Sequence, residues 1–236
     1  MDFQVGQALP PANFMTKEEV RARIQEIGII PAVRLHSPED AIFAAEAVAS
    51  GGIPIVEVTI TVPGAVDVIR HLSQHRLDVI QGAGTVLDLA WARKCVDAGA
   101  LFLTSPGFDA KIVEFAAQEK VLVFPGALTP TDVIAAAKAG ADFVKIFPCA
   151  QVGGPSYIKA LKSPFPEVPF IAAGGVNQQN AAEYILAGAA ALGIGRDLIH
   201  EDAIKRRDHG WIRELARRYR NMVIQARAHL NQHGGS

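Results

Sequence analysis

This chain of 236 residues has few cysteines, almost no excess of positive or negative charge, and no long apolar runs. Its two cysteines, Cys95 and Cys149, cannot build the disulfide framework of a small secreted domain, so we expect a reducing, cytoplasmic environment. The formal net charge is −1, which indicates neither a nucleic-acid partner nor an anionic membrane surface. No apolar run approaches the roughly 20 residues that a helix needs to cross a bilayer.

Signal-like and linker-like segments are missing as well. Residues 1–15 lack a basic start followed by an apolar stretch, so they predict an N-terminal extension rather than a secretory signal. Residues 16–231 show no break in composition, which favours one domain. The last residues end in GGS, and we assign 232–236 to a flexible tail, either native or engineered.

Metal motifs are absent from the histidine positions. None of the 7 histidines forms an HxH or HExxH pair, and only His36 lies near the end of a predicted strand. We therefore expect no metal. This counts against a metal-dependent sugar-phosphate epimerase, which needs inward histidine and aspartate ligands.

What the sequence does contain is a repeated strand–turn–helix pattern. Short apolar runs of strand type alternate with helical patterns, which predicts a parallel sheet. Eight such runs within one domain favour a closed (β/α)₈ TIM barrel. The runs are 28–35, 53–60, 77–84, 100–107, 121–127, 141–148, 168–175 and 190–196.

Helix signals agree with this arrangement. Ser37 and Thr129 are each followed by proline, a pattern typical of helix starts, and Asn177 is a third candidate cap, for a helix that stops at Gly188. Residues 16–28 predict an N-terminal capping helix over the barrel floor. Residues 201–231 predict one long C-terminal helix whose arginines form a solvated outer face.

The stretch DFVKIFPCA contains one lysine, Lys145, inside an apolar strand. A buried ammonium is costly unless it is paired or loses its proton. Alternation along strands puts Lys145 and Glu57 on the inner side of the barrel, near the C-terminal ends of their strands, with Arg34 at a similar height. A purely structural Glu–Lys pair would satisfy this pattern.

Three features favour chemistry over that structural alternative. Barrel active sites lie at the C-terminal ends of the strands. A desolvated lysine can act as a nucleophilic amine. A neighbouring carboxylate can move protons, so the pair is typical of Schiff-base catalysis on a carbonyl substrate.

Glycines in the last two loops indicate an anionic end on the substrate. Gly174 and Gly175 precede a predicted helix, and Gly193 and Gly195 precede another short helical segment. Backbone N–H groups and helix dipoles in such loops favour an anion.

Several motifs together resemble one known family. VEVTITVPGA, GAGTVL, TSPG, FPGALTP, FVKIFP, GPSYIKALKSPFP and AAGGVN, in this order from about residue 17 to 200, are similar to the class I 2-keto-3-deoxy-6-phosphogluconate (KDPG) / 4-hydroxy-2-oxoglutarate (KHG) aldolases. The resemblance implies a barrel, a homotrimer, and cleavage of a 2-keto-4-hydroxy acid to pyruvate and an aldehyde, glyceraldehyde 3-phosphate for KDPG. It implies no cofactor beyond an imine on the protein.

The resemblance also implies roles for individual residues. Lys145 matches the Schiff-base lysine and Glu57 the acid/base carboxylate. The pyruvyl part of the substrate is expected at Arg34, Thr85, Pro106 and Phe147. The distal, phosphate-bearing end is expected at Gly174, Gly175, Gly195 and Arg196.

Three departures from the family pattern leave the substrate open. Thr61 and Ala173 stand where many relatives have an arginine and a threonine, and Arg196 stands where a phosphate-binding serine is usual. Arg196 is compatible with a substrate whose distal end is a phosphate, a carboxylate or an uncharged group. The 6-phosphogalactonate homologue of KDPG and 4-hydroxy-2-oxoglutarate, whose aldehyde product is glyoxylate, therefore remain alternatives. A non-catalytic or engineered trimeric assembly module is the alternative of another class.

Overall fold

The computed structural model of the chain describes residue 12 and residues 15–233. Nearly all of the predicted N-terminal extension and the last three residues of the predicted tail lie outside this part. The helices are α1 Lys17–Ile27, α2 Pro38–Ser50, α3 Ala65–His75, α4 Leu89–Asp97, α5 Ala110–Gln118, α6 Pro130–Lys138, α7 Pro155–Lys162, α8 Ala181–Leu186, α9 Glu201–Lys205 and α10 His209–His233.

The strands form one parallel sheet that is nearly closed into a barrel. They are β1 Ile29–Val33, β2 Ile55–Thr59, β3 Ile80–Gly84, β4 Phe102–Thr104, β5 Leu122–Phe124, β6 Gly126–Ala127, β7 Val144–Ile146, β8 Phe170–Ala173 and β9 Ala191–Ile194. Their order is β5-β4-β3-β2-β1-β9-β8-β7-β6. The two edge strands are consecutive in the chain, so the ring closes through the residue between them. The predicted barrel is confirmed.

One predicted strand, 121–127, is split in two at Pro125. Proline has no backbone N–H to donate to a ladder, and it is confined to strand edges and interruptions. Its carbonyl still accepts a hydrogen bond from the Lys145 N–H at 2.9 Å, which ties the end of β5 to β7. The interruption therefore lies beside the strand that carries the lysine.

The first helix covers the floor of the barrel, as predicted. Val20, Ile24 and Ile27 form its buried face. Lys17 pairs with Asp142 at 3.0 Å, directly before β7, and Asp142 also accepts a hydrogen bond from the Val123 N–H. The floor is thus held by apolar burial and by one shielded ion pair.

The predicted long C-terminal helix is confirmed as α10, but it does not run unbroken over 201–231, because the structure divides that stretch into α9 and α10. Arg207 has a φ of +52°, which ends α9, and the Asp208 carboxylate accepts a hydrogen bond from the Trp211 N–H to start α10. The expected apolar face of α10 is present, with Ile212 and Tyr219 fully buried. Helix α10 continues through His233 and packs on α2 and α8.

The arginines of α10 do more than face solvent. Arg227 donates to the carbonyls of Glu26 and Ala190 at 2.7 and 2.8 Å, and Arg220 donates to the carbonyl of Glu26 at 3.3 Å. The Glu26 carbonyl lies at the end of α1 and has no partner inside the helix, whereas Ala190 directly precedes β9. The long helix therefore clamps α1 to the barrel.

Alternation along the strands sorts side chains as the sequence predicted. Phe102, Phe124 and Phe143 meet through ring contacts of 5.0–5.2 Å between centroids and fill the lower interior. Above them on β2 and β7 come Glu57 and Lys145. Within residue 12 and residues 15–233, no helix has the length and apolar character that a membrane crossing requires.

Candidate active site

A cavity of about 310 Å³ opens at the C-terminal ends of the strands. Its wall comes from β1, β2, β7, β8 and β9 and from the segments that follow β1, β7, β8 and β9. The lining residues are Ala32, Arg34, Glu57, Lys145, Phe147, Ala173, Gly174, Gly175, Val176, Gly193, Gly195, Arg196 and Asp197. Eight of the ten residues predicted for the site are therefore around one cavity.

Lys145 holds its amine at the base of this cavity. Its side chain is 13% exposed, and its Nζ lies 3.6 Å from Glu57 Oε1, a carboxylate that is itself 5% exposed. The amine donates a hydrogen bond to Thr104 Oγ1 at 3.2 Å, and the Phe147 ring centroid lies 5.7 Å away. An amine with a shielded carboxylate beside it has the geometry of a nucleophile with an adjacent proton carrier.

Strand β3 leaves room for this arrangement by presenting glycines to the interior. A Cβ on Gly84 would lie 2.1 Å from Glu57 Oε1, and a Cβ on Gly82 would lie 2.4 Å from the Phe102 ring. Any larger residue at Gly84 would displace the carboxylate. The GAGT stretch therefore makes space for Glu57 as well as supplying Thr85.

Arg34 and Thr85 lie together on the opposite rim. Arg34 Nη2 donates to Thr85 Oγ1 at 3.4 Å, and Thr85 has a φ of +59°, uncommon for a residue with a β-branched side chain. Arg34 lines the cavity with its guanidinium exposed, so it can pair with a substrate carboxylate. Thr85 is absent from the cavity lining within the described residues and contacts it through Arg34.

Thr61, which stands where many relatives have an arginine, is tied into the end of β2. Its hydroxyl lies 2.8 Å from Thr59 Oγ1, and Thr59 in turn donates to the Val33 carbonyl at 3.0 Å. These hydroxyls join the ends of β1 and β2. The cationic group on this side of the cavity is therefore Arg34, from β1.

The glycine loop after β8 packs against the segment after β7. Cys149 and Ala150 donate backbone hydrogen bonds to the carbonyls of Ala173 and Gly174 at 2.8 and 3.0 Å. Gly175 has a φ of +85°, and a Cβ there would lie 2.3 Å from the Ala150 Cβ. Glycine is needed here by the backbone conformation and by close packing, whether or not an anion binds.

Helices were expected directly after two glycine pairs, Gly174 with Gly175 and Gly193 with Gly195. No helix starts there, and this part of the prediction is wrong. Helix α8 begins at Ala181 and has only 6 residues, and Asn177 accepts from the Gln179 N–H in a preceding turn instead of capping the helix. Residues 196–198 form a turn, and α9 begins at Glu201. Because no helix starts at either glycine pair, a helix dipole gives no support for anion binding at these loops.

Arg196 lines the cavity but is largely exposed to solvent. Its side chain is 83% exposed, and its Nε lies 4.0 Å from Glu201 Oε1. Such a weakly held guanidinium can swing towards a distal anionic group of a ligand. Asp197 follows it on the wall and adds a negative charge beside it.

A model of the "KDPG and KHG aldolase" family matches residues 20–215. The chain belongs to this family. It is thus an aldolase, a carbon–carbon lyase, and the resemblance read from its motifs is confirmed.

Relatives and solved structures agree with the family. A 2-dehydro-3-deoxy-phosphogluconate aldolase of Treponema pallidum is 36% identical over 162 residues, which cover 69% of this chain and 77% of the relative. The structure of a KDPG aldolase from Legionella pneumophila, with pyruvate captured as a covalent carbinolamine, matches with a TM-score of 0.78 and 32% identity over 84% of this chain and 96% of that one. A cube-shaped cage designed by fusing symmetric oligomeric domains matches with a TM-score of 0.79 and 28% identity, covering 88% and 77%.

Pro106, like Thr85, is a predicted site residue that does not line the cavity within residue 12 and residues 15–233. Its carbonyl packs against Gly126, where a Cβ would lie 2.1 Å from the oxygen. Pro106 therefore contacts the start of β6, and the expectation that it touches pyruvate stays a prediction.

Two residues of the aldolase site escaped the sequence analysis. Thr104 is the last residue of β4 and contacts the Lys145 amine, but a threonine in a strand is ordinary. Gly84 was read only as part of a motif. The alternation of β4, with Phe102 and Thr104 on the inner side, was a signal that could have found the threonine.

Cys149 is packed in the interior beside the site. It is fully buried, and desolvation raises the pKa of its thiol to about 11, which disfavours the nucleophilic thiolate. Among the residues that the structure describes, no group of three or more histidine, cysteine or acidic side chains could hold a metal ion. The Lys145 amine lines the cavity and is a candidate nucleophile.

Proposed function

We propose that the chain is a class I aldolase that cleaves KDPG, or a related 2-keto-4-hydroxy acid, through an imine on Lys145. One observation carries this proposal: the Lys145 amine lines the cavity beside the shielded Glu57 carboxylate, 3.6 Å away. The covalent carbinolamine in the Legionella relative supports it, because a carbinolamine is the adduct of an amine and a ketone. Lys145 supplies such an amine here.

The first steps attach the substrate. The neutral amine of Lys145 attacks the C2 ketone carbon, and the proton that the nitrogen then loses passes to the former carbonyl oxygen to give a neutral carbinolamine. A second proton lets that oxygen leave as water, and the nitrogen lone pair forms the C=N bond of a protonated imine. Glu57 lies close enough to the nitrogen to carry protons in these steps.

The imine then drives the bond cleavage. Glu57, directly or through a water, takes the proton from the C4 hydroxyl, and the C3–C4 bond breaks to leave an aldehyde. The electron pair of the broken C3–C4 bond moves into the imine and gives an enamine. Glu57 returns a proton to C3, and water hydrolyses the resulting imine to release pyruvate and regenerate Lys145.

Binding of the substrate carboxylate is proposed for Arg34. Its guanidinium lies on the cavity wall and is held by Thr85, and a charge-assisted pair with the C1 carboxylate would turn the C2 ketone towards Lys145. The protonated imine is the electron sink of the reaction. We therefore propose that no metal or organic cofactor takes part.

Replacement of the lysine tests this proposal. Lys145→Met should lower the rate of aldol cleavage by at least about 10⁴-fold, because covalent activation of the ketone is lost. The variant should still fold, which circular dichroism and thermal unfolding would check, although it leaves the Glu57 carboxylate unpaired. Lys159→Met, at an exposed lysine of α7, is the matched control and should keep wild-type activity. A folded Lys145→Met protein with more than a few per cent of wild-type turnover would contradict the imine mechanism.

The distal end of the substrate is proposed to bind near Gly174, Gly175, Gly195 and Arg196. Phosphate is favoured because Arg196 is loosely held and can reach an anion in the open part of the cavity. The 6-phosphogalactonate homologue fits the same description. A carboxylate, as in 4-hydroxy-2-oxoglutarate, would use the same guanidinium with one fewer negative charge.

Replacement of Arg196 tests the distal site. Arg196→Ala should lower kcat/KM for KDPG by about tenfold while leaving activity on the unphosphorylated analogue within about twofold, since only the former loses a charge-assisted contact. Arg217→Ala on the outer face of α10 is the control. Equal effects of Arg196→Ala on both substrates, or no effect on either, would remove Arg196 from the distal site.

We also propose that the chain assembles as a homotrimer. The family resemblance implies this state, and the solved cage among the structural neighbours was designed from symmetric oligomeric domains. Sedimentation equilibrium should give about three times the chain mass of 25.2 kDa, and a monomer would contradict the proposal. The shielded lysine–carboxylate pair favours a catalytic trimer over an assembly module without activity.

A further inference from the structure

Thr104 contacts the reacting amine from a strand that contributes nothing to the cavity wall. Its Oγ1 lies 3.2 Å from Lys145 Nζ, and the residue is 2% exposed. Within residue 12 and residues 15–233, the cavity lining does not include Thr104. The hydroxyl is therefore placed to act on the lysine amine that it contacts.

The position of the hydroxyl is fixed by its surroundings. The Thr104 carbonyl accepts a hydrogen bond from the Val86 N–H at 3.0 Å, and the side chain is β-branched and buried. Strand β3, which separates β4 from β2, presents Gly82 and Gly84 to the interior. Thr104 and Glu57 can therefore reach the same amine from two strands.

The two oxygens beside the amine differ in distance and in charge. Thr104 Oγ1 is within hydrogen-bonding distance at 3.2 Å, whereas Glu57 Oε1 is at 3.6 Å. A neutral hydroxyl oxygen can accept an N–H from an ammonium, from a neutral amine or from a protonated imine. A carboxylate attracts chiefly the charged forms, and it must release the nitrogen to move protons elsewhere.

We propose that Thr104 is a positioning residue: its hydroxyl holds the Lys145 nitrogen in place and thereby leaves the Glu57 carboxylate free to transfer protons. The inference rests on the proposed function, since it assigns Thr104 to the same lysine. Thr104 contacts no substrate atom in this account. Its loss should slow formation of the imine without weakening binding of the keto acid.

The test compares Thr104→Val with Thr104→Ser. Valine keeps the shape of threonine and removes the oxygen, and serine keeps the oxygen. Each protein is mixed with saturating pyruvate and quenched with borohydride at increasing times, and the reduced adduct on Lys145 is followed by peptide mass spectrometry. Steady-state cleavage gives kcat and KM for the same variants.

The expected result separates the hydroxyl from packing. Thr104→Val should accumulate the adduct about tenfold more slowly and lose kcat to the same extent, with KM within about twofold of wild type. Thr104→Ser should stay within about threefold of wild type in every measure. If Thr104→Val fails to fold, Thr104→Ala against Thr104→Ser isolates the same oxygen.

Two results would overturn the inference. One is a wild-type trapping rate in Thr104→Val. The other is an equal loss in Thr104→Ser and Thr104→Val, because the methyl group and not the hydroxyl would then matter. A wild-type protein that gives no adduct on Lys145 would fail earlier, since it removes the imine mechanism and this inference with it.

Discussion

The contact between Lys145 and Glu57 is the interaction on which the upper half of the barrel depends. Two opposite charges lie 3.6 Å apart with side chains only 13% and 5% exposed. Breaking such a pair by removing one partner costs roughly 3–5 kcal/mol, and replacing both by apolar residues is often neutral or stabilising. Stability alone therefore gives little reason to keep the pair, whereas an amine that must react beside a proton carrier gives a direct one.

Several features of the neighbouring strands follow from housing this pair. Glycines on β3 leave the volume that the Glu57 carboxylate occupies, and Thr104 on β4 receives an N–H from the amine. Pro125 ends β5, and its carbonyl fixes the backbone of β7 at Lys145 itself. Below this layer the interior is filled by Phe102, Phe124 and Phe143, so the charged groups lie directly above a layer of packed aromatic rings.

Periodicity predicted much of the fold because strands and helices repeat in a simple pattern. It predicted the barrel, the N-terminal helix and the starts of α2 and α6 at Ser37 and Thr129, whose side chains cap those helices. The break between α9 and α10 escaped, because Arg207 and Asp208 carry no strong helix-ending signal. The late start of α8 was not predicted for a different reason. Residues 178–180 form a turn whose sequence is also compatible with the first turn of a helix.

The site was predictable where a residue contradicts its surroundings. Lys145 and Glu57 are charges inside apolar strands, so each demanded an explanation from the sequence alone. Thr104 is ordinary in a strand, and Gly84 stood out only as part of the GAGTVL motif, so the three-dimensional contacts with Lys145 Nζ and Glu57 Oε1 were needed to reveal their part in the site. For Pro106, contact with pyruvate stays a prediction, because a motif match cannot tell a loop that touches the cavity from one that supports it.

The proposed mechanism depends on an imine between Lys145 and a 2-keto acid. The most direct measurement incubates the wild-type protein with pyruvate, adds borohydride and maps the product by peptide mass spectrometry. We expect a reduced pyruvyl adduct on the peptide that contains Lys145, formed only when both reagents are present. A folded protein that gives no adduct in excess pyruvate, or an adduct confined to other lysines, would contradict it and leave the Lys145–Glu57 contact a structural ion pair.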